Sequence, residues 1–228
     1  MQKAKIAKAI EGFKIVNLDF IFNIPTQSEA IVREDMRAAK ALGAHQISTY
    51  PLMSSPLIKN AIEKRFGVID TNLEITYYKA ILEELKGYIR LSSWSFAKER
   101  GVFDEYVVDY SEYLGLGSGA FSFLNDTLYI NTFSLKRYKE SIENNALSIE
   151  RYRKYTPFMQ KSYRNMLTLF SGDTSGLSLF EKRALELFGM VDKGGEMSDF
   201  GYFVLLGMMK EFYIGMDFVR ERSRESLS

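Results

Sequence analysis

Lys14 to Leu52 reads KIVNLDFIFNIPTQSEAIVREDMRAAKALGAHQISTYPL. The run Lys14–Phe22 is mostly apolar and rich in β-branched and aromatic residues, the pattern of a buried strand that Pro25 closes. Thr26-Gln27-Ser28-Glu29 has capping-box spacing. Behind it, Ile31, Met36, Ala39 and Leu42 recur on one side of a helix from about Ser28 to Leu42, with Gly43 as its natural C′ residue. Gln46–Leu52 is the next strand. Strand, helix, strand is a βαβ unit, so the two strands are expected to be parallel neighbours joined by a right-handed crossover. Ligands gather beyond the C-terminal ends of such strands, here Asn23–Thr26 and Pro51–Ser55.

Two polar residues of this unit invite a functional reading. Asp19 lies inside an apolar strand, where a carboxylate needs a partner. Either it accepts hydrogen bonds from its neighbours, or it is a ligand-facing acid on the barrel-interior face of the strand. His45 is the only histidine, and it begins the second strand rather than ending it. That is the wrong edge for chemistry, so a structural or surface role is expected, and a lone histidine has no companion for a metal site.

Pro56–Arg65 reads as a short helix stopped by Gly67. Thr71-Asn72-Leu73-Glu74 is a second capping box, opening a helix to about Lys86. Tyr88–Phe96 reads as one strand carrying Trp94, the only tryptophan, which is expected to pack in the core or at its rim. Asp104 and Glu105 read as a solvated acidic pair. Tyr106–Val108 is a strand-like apolar run. Then Gly115, Gly117 and Gly119 occupy alternate positions, which predicts a strand with one face free of side chains. Such a face admits either a tightly packed neighbour or a flat ligand. Phe121–Leu124 and the Leu128–Ile130 run follow, joined through Asn125-Asp126 as a hairpin.

Ser134 caps a helix to about Asn144, and the Asn144-Asn145 pair marks a candidate boundary. This divides the chain into 1–145 and 146–228. In the second part Ile149–Phe170 reads as a helix with a basic face of Arg151, Arg153, Lys154, Lys161 and Arg164. A linker at 172–176 leads to a third capping box at Ser178–Glu181, a turn at 192–195, and a long helix from about Asp199. Helix, small hairpin and helix together predict a small winged-helix-like tail.

Composition bounds the chemistry. The formal charge is +1 over 228 residues, which gives no broad electrostatic preference for nucleic acid or an anionic membrane. There is no cysteine, which excludes disulfides, thiolate metal ligands and a cysteine nucleophile on this chain and fits a cytoplasmic protein. No apolar run approaches the ~20 residues that span a bilayer.

Three stretches, in order, resemble the oxygen-independent coproporphyrinogen III oxidase family of radical S-adenosylmethionine (SAM) proteins, which includes related heme chaperones. Asn17–Gln27 (NLDFIFNIPTQ) is similar to the family's N-x-D-L-I-Y-G-L-P-x-Q strand and loop. His45–Leu52 (HQISTYPL) is similar to its H-I-S-x-Y-x-L strand. Tyr113–Phe123 (YLGLGSGAFSF) is similar to its Y-x-G-x-G-x-G-A-x-S segment. The resemblance covers roughly residues 10–140. It implies an α/β fold, the C-terminal part of an incomplete (β/α)6 barrel with its last two parallel strands and a closing extension. It implies that Asp19 is the strand-end acid contacting SAM, that Met53 lines the same cofactor, and that Phe121 packs near the adenosine. The glycine run, Gly115 and Gly117 included, would allow the cofactor's close approach.

The departures are as informative. The family's C-x-x-x-C-x-x-C loop, which binds a [4Fe–4S] cluster, is absent, and Asn23 stands where the family has glycine. The expectation is therefore one part of such a protein, with a tetrapyrrole as the small-molecule substrate. A heme-binding or heme-delivering protein is the alternative, with His45 as its strongest axial candidate. A partner-binding module is the third reading. A half-barrel leaves strand edges unpaired, so self-association, or binding of a segment carrying the missing strands, is expected.

Overall fold

The structure is a computed structural model, and it describes residues 2–54, 56–102 and 110–225. Helix α1 (Gln2–Gly12) leads into β1 (Asn17–Phe22), α2 (Glu29–Leu42) and β2 (Gln46–Pro51). β1 and β2 pair in parallel with Asn17 opposite Gln46 and Phe22 opposite Pro51, as the βαβ reading requires. Ser28 is the N-cap of α2, its hydroxyl accepting from the Ile31 N–H, so the cap sits two residues beyond Thr26. Gly43 ends the helix at φ +89°.

α3 (Pro56–Phe66), a 3₁₀ turn (Thr71–Leu73) and α4 (Glu74–Glu84) follow. The cap of that turn is Asp70, which accepts from the Asn72 N–H, rather than Thr71. The expected single strand at 88–96 is two short ones, β3 (Ile89–Arg90) and β4 (Ser95–Ala97). Ser92 and Ser93 turn the chain back, and the Leu91 and Ser92 N–H groups both donate to the Ser95 carbonyl. β4 pairs antiparallel with β2 and β3, giving the sheet order β1-β2-β4-β3.

Register divides this sheet into two faces. Leu18, Phe20 and Phe22 of β1, with Ile47 and Phe96, point into the core formed with Val32, Met36 and Ala39 of α2 and Tyr77 and Ile81 of α4. Asn17, Asp19 and Ile21 are exposed on the other face. Lys14–Phe22 is thus covered on one side rather than two.

A second sheet holds β5 (Phe121–Leu124), β6 (Thr127–Asn131) and β7 (Ile149–Lys154) in that order. Asn125 and Asp126 take φ of +49° and +58° between Leu124 and Thr127, a two-residue hairpin turn of the kind the Asn-Asp pair predicts. α5 (Leu135–Glu143), capped by Ser134, connects β6 to β7. The expected helix from Ile149 begins only at α6 (Pro157–Phe170), because Thr156 caps it and Pro157 occupies its first turn. Arg151, Arg153 and Lys154 therefore stand on a strand paired with β6, and only Lys161 and Arg164 are helical. This pairing carries main-chain hydrogen bonds across the division at residue 145.

α7 (Leu179–Leu187) opens with the Ser178–Glu181 capping box, both reciprocal bonds being present. An isolated bridge between Val191 and Met197 precedes α8 (Asp199–Glu225). Leu205, Leu206 and Met209 of α8, with Leu167 and Phe170 of α6, enter the same core as Phe22 and Trp94. Trp94 packs edge-to-face on Phe170 at 5.1 Å and is core, as expected. No helix among the described residues is long and apolar enough to cross a membrane. The strand expected at Tyr106–Val108 and the Asp104–Glu105 pair lie outside the described residues.

Candidate functional site

On the face of β1–β2 turned away from the core, Asn17, Asp19 and Ile21 of β1 are exposed, while the polar Gln46 and Ser48 of β2 are buried. Asp19 lies opposite Ser48 in register. The Ser48 hydroxyl donates to Asn17 Oδ1 at 3.2 Å, and Asn17 Nδ2 donates to Asp19 Oδ1 at 2.9 Å. On the same face Gln46 Nε2 donates to Ser95 Oγ at 2.9 Å. Asp19 thus has the neighbouring donor that a strand carboxylate calls for, and it remains exposed. It is the third residue of β1 rather than the strand's last. Met53 follows β2 closely. The Leu52 N–H donates to the Phe22 carbonyl at 2.8 Å, holding that loop against the end of β1, and the Met53 side chain packs on the core.

At the end of β1, Asn23 takes φ +63°. Glycine adopts this left-handed conformation freely and asparagine tolerates it. The same backbone therefore accommodates the family's glycine and this chain's asparagine. The side chain then does what glycine cannot: its Nδ2 donates to the Asp70 carbonyl at 3.1 Å and to Glu74 Oε1 at 3.3 Å. Glu74 is buried at the start of α4 and pairs with Lys210 of α8. Three segments far apart in sequence meet at this point. Sequence reasoning missed Glu74 and Lys210; the signals were a cap-position glutamate and a lysine inside an apolar helix stripe.

The glycine run is not a strand. Gly117 and Gly119 have φ of +109° and +70°, so the chain turns there instead of extending. Gly115 is where close approach happens, and the neighbour is this chain's own backbone. A Cβ at Gly115 would lie 2.2 Å from the Phe121 carbonyl oxygen, while its N–H donates to Ser122 Oγ at 3.0 Å. At Gly119 a Cβ would lie 2.5 Å from the Phe133 ring. Tyr113 and Phe123 exchange two main-chain hydrogen bonds, laying the run's entry beside β5.

Two clefts flank the second sheet. On one face, Gly115 and Leu116 join Ser122, Tyr129, Tyr138 and Ile142 around about 390 Å³. On the other, Phe121, Leu128 and Ile130 face Tyr163, Tyr213 and Met216 across about 350 Å³. Phe121 and Gly115 therefore serve opposite faces, and neither Asp19 nor Met53 lines either cleft. Burial raises the Tyr155 hydroxyl above its ordinary pKa while Arg153 lowers it.

His45 is half-buried, and its Nδ1 accepts from the Val16 N–H at 3.2 Å, fixing the entry to β1. Among the described residues no three His, Asp or Glu side chains are grouped to hold a metal ion.

No family model matches the chain. In sequence it is 25% identical over 186 residues to the heme chaperone HemW of Bacillus subtilis, covering 78% of this chain and 48% of that one. In fold it is similar to coproporphyrinogen III oxidase (HemN) from Escherichia coli, described as a radical SAM enzyme. The TM-score is 0.67 at 18% identity, over 93% of this chain and 58% of the other. The chain spans about half the length of these two relatives. The resemblance carried by the three motifs is borne out, with an α/β fold of mixed helices and sheets.

Proposed function

We propose that this chain supplies the SAM-facing strands and the substrate-facing sheet of a radical SAM oxidoreductase resembling oxygen-independent coproporphyrinogen III oxidase, acting on a tetrapyrrole. The observation that carries this reading is Asp19, exposed on β1 of a parallel β1–β2 pair beside Asn17 and opposite Ser48, in a fold similar to HemN over 93% of the chain. In this reading β1 and β2 are the last parallel strands of an incomplete (β/α)6 barrel. The elements through α5 close it, and residues 146–228 form a winged-helix-like tail.

The residues present fit SAM better than the cluster. The Asp19 carboxylate and the Ser48–Asn17 pair offer acceptors and a fixed orientation for a polar ligand. Bound SAM supplies the 5′-deoxyadenosyl group on which the family's chemistry rests. A chain without cysteine does not fit a [4Fe–4S] cluster, so cluster ligation falls to a partner segment carrying the C-x-x-x-C-x-x-C loop. The free outer side of β1 is the place for that partner.

Calorimetric titration of SAM tests the reading, on the chain alone and mixed with a polypeptide bearing the cluster loop. Binding that Asp19→Asn weakens about tenfold supports it. Absence of SAM binding in both preparations overturns it.

The similarity to a heme chaperone favours a second reading, heme binding or delivery. His45 Nδ1 is engaged by Val16, which leaves Nε2 for an axial bond. A Soret band on heme titration that is lost in His45→Ala would support it over the first.

A further inference from the structure

We propose that β7, the open edge of the second sheet, binds an extended acidic peptide as an added antiparallel strand. The surface uses none of Asp19, Met53 and His45, so the proposal is independent of the SAM and heme readings. Three observations lead to it.

The first is an edge whose main chain is free. β7 is the last strand in the order β5-β6-β7, with no neighbour beyond it among the described residues. The other end of that sheet is closed, because Tyr113 and Phe123 exchange two main-chain hydrogen bonds. Just past β7 the Tyr155 N–H donates to the Asp126 carbonyl at 2.8 Å. Main-chain groups alternate in direction along an antiparallel strand. Arg153 and Arg151 therefore turn theirs toward β6, and Tyr152 and Lys154 turn theirs outward. Outward N–H and C=O groups of this kind are what an added peptide strand pairs with.

The second is charge. Arg151, Arg153 and Lys154 are exposed, and Tyr152 among them is 74% exposed. No ion pair engages these three cations among the described residues. Glu150, the acid of this strand, has its Oε2 buried. The edge thus shows solvent a run of positive charge with an aromatic ring in its midst.

The third is register, which chooses the guest. Charges on an edge strand ordinarily deter pairing. A second β7 laid antiparallel about Tyr152 would set Arg151 against Arg153 twice, and like charges directly opposite one another are destabilising. An acidic strand reverses the sign of the same pairs. Because the guest's hydrogen bonds go to Tyr152 and Lys154, Arg151 and Arg153 fall at the non-hydrogen-bonded positions, where cross-strand side chains come closest. The guest that fits has acids opposite Lys154, Arg153 and Arg151 and an aromatic residue opposite Tyr152.

The test uses the full chain and a fluorescein-labelled peptide of that pattern, Thr-Glu-Glu-Tyr-Glu-Val-Thr, read by fluorescence anisotropy. The expected result is saturable one-to-one binding, with no binding of the same peptide carrying lysine for glutamate. N-methylation of the first glutamate and the tyrosine removes the N–H groups that face β7 and is expected to abolish binding. N-methylation of the second and third glutamates, whose N–H groups face away, is expected to leave it nearly unchanged. Arg151→Glu/Arg153→Glu is expected to weaken the acidic peptide about tenfold and to admit the lysine peptide. Circular dichroism confirms that the variant is folded. No saturable binding, equal binding of the two N-methylated peptides, unchanged affinity in the charge-reversed variant, or tighter binding of a single-stranded oligonucleotide than of the acidic peptide would each overturn the assignment.

Discussion

Asn23, Glu74 and Lys210 show how much a single position can carry. Asn23 occupies a left-handed conformation, and its amide feeds a carboxylate that also holds a lysine from α8. Removing one partner of such a pair strands the other charge away from water. Lys210→Met is therefore expected to cost about 3–5 kcal/mol, read by urea denaturation, with the double variant Lys210→Met/Glu74→Leu recovering much of the loss. Gly115→Ala poses a different problem. Its methyl would meet the Phe121 carbonyl, which belongs to a paired strand and cannot move freely. A cost of about 1–3 kcal/mol is expected, with faster amide exchange at Tyr113 and Phe123, whose main chains the run lays together. Gly12→Ala meets nothing within 4 Å and is the matched control, expected to stabilise by about 0.5–1 kcal/mol. Residue type alone made Asn23 and Gly115 visible in the sequence. What each touches was not visible, because Glu74, Lys210 and Phe121 reach them only through the folded chain.

Elements were legible where a local rule was sufficient. The βαβ unit, the Asn125-Asp126 hairpin and the Ser178 capping box each rest on contacts within one short stretch. Two stretches were read as the wrong element because tertiary pairing decided them. Ile149–Lys154 has charged and aromatic residues that suit a helix as well, and only pairing with β6 makes it a strand. Tyr88–Phe96 is folded back by its serines, whose N–H groups find Ser95 and Phe170. Between α2 and α4 an electrostatic link lies beside the apolar packing: Arg37 and Arg33 converge on Glu84 at 2.6 and 3.2 Å. Hydrogen bonding from Arg37, then Arg33, holds the Glu84 carboxyl below its ordinary range against desolvation. Ser175 does the same for Asp173, and Ser178 for Glu181. The unfolded chain therefore binds protons first as pH falls. The contribution of these groups is whole above their unfolded pKa of about 4 and is lost on acidification through their lower folded values. Glu84→Gln is expected to flatten the acid limb of a stability–pH curve measured by denaturation between pH 3 and 7.

At the scale of the whole molecule, β1 is the unresolved balance in the fold. It is a parallel strand at the end of its sheet, with no neighbour on its outer side among the described residues. Parallel strands are ordinarily covered on both faces, and an uncovered edge presents a row of unpaired N–H and C=O groups. Ile21 is 53% exposed on β1, and Phe13 and Ile15 just before it are 69% and 45% exposed, so the free edge is apolar as well as unpaired. Water satisfies the polar groups but not the apolar ones, and both gain from an added strand. Self-association through β1 is therefore expected, seen in sedimentation velocity as a mass that rises with concentration. Ile21→Lys places a charge on the strand without touching the core and is expected to return the chain to monomer, with stability changed by no more than about 0.5 kcal/mol. A polypeptide supplying parallel strands for the same edge would compete with the second copy, so its addition should lower the mass of the self-associated form. A monomer at every concentration, in both the parent and the variant, would mean that the edge is already protected by the chain itself.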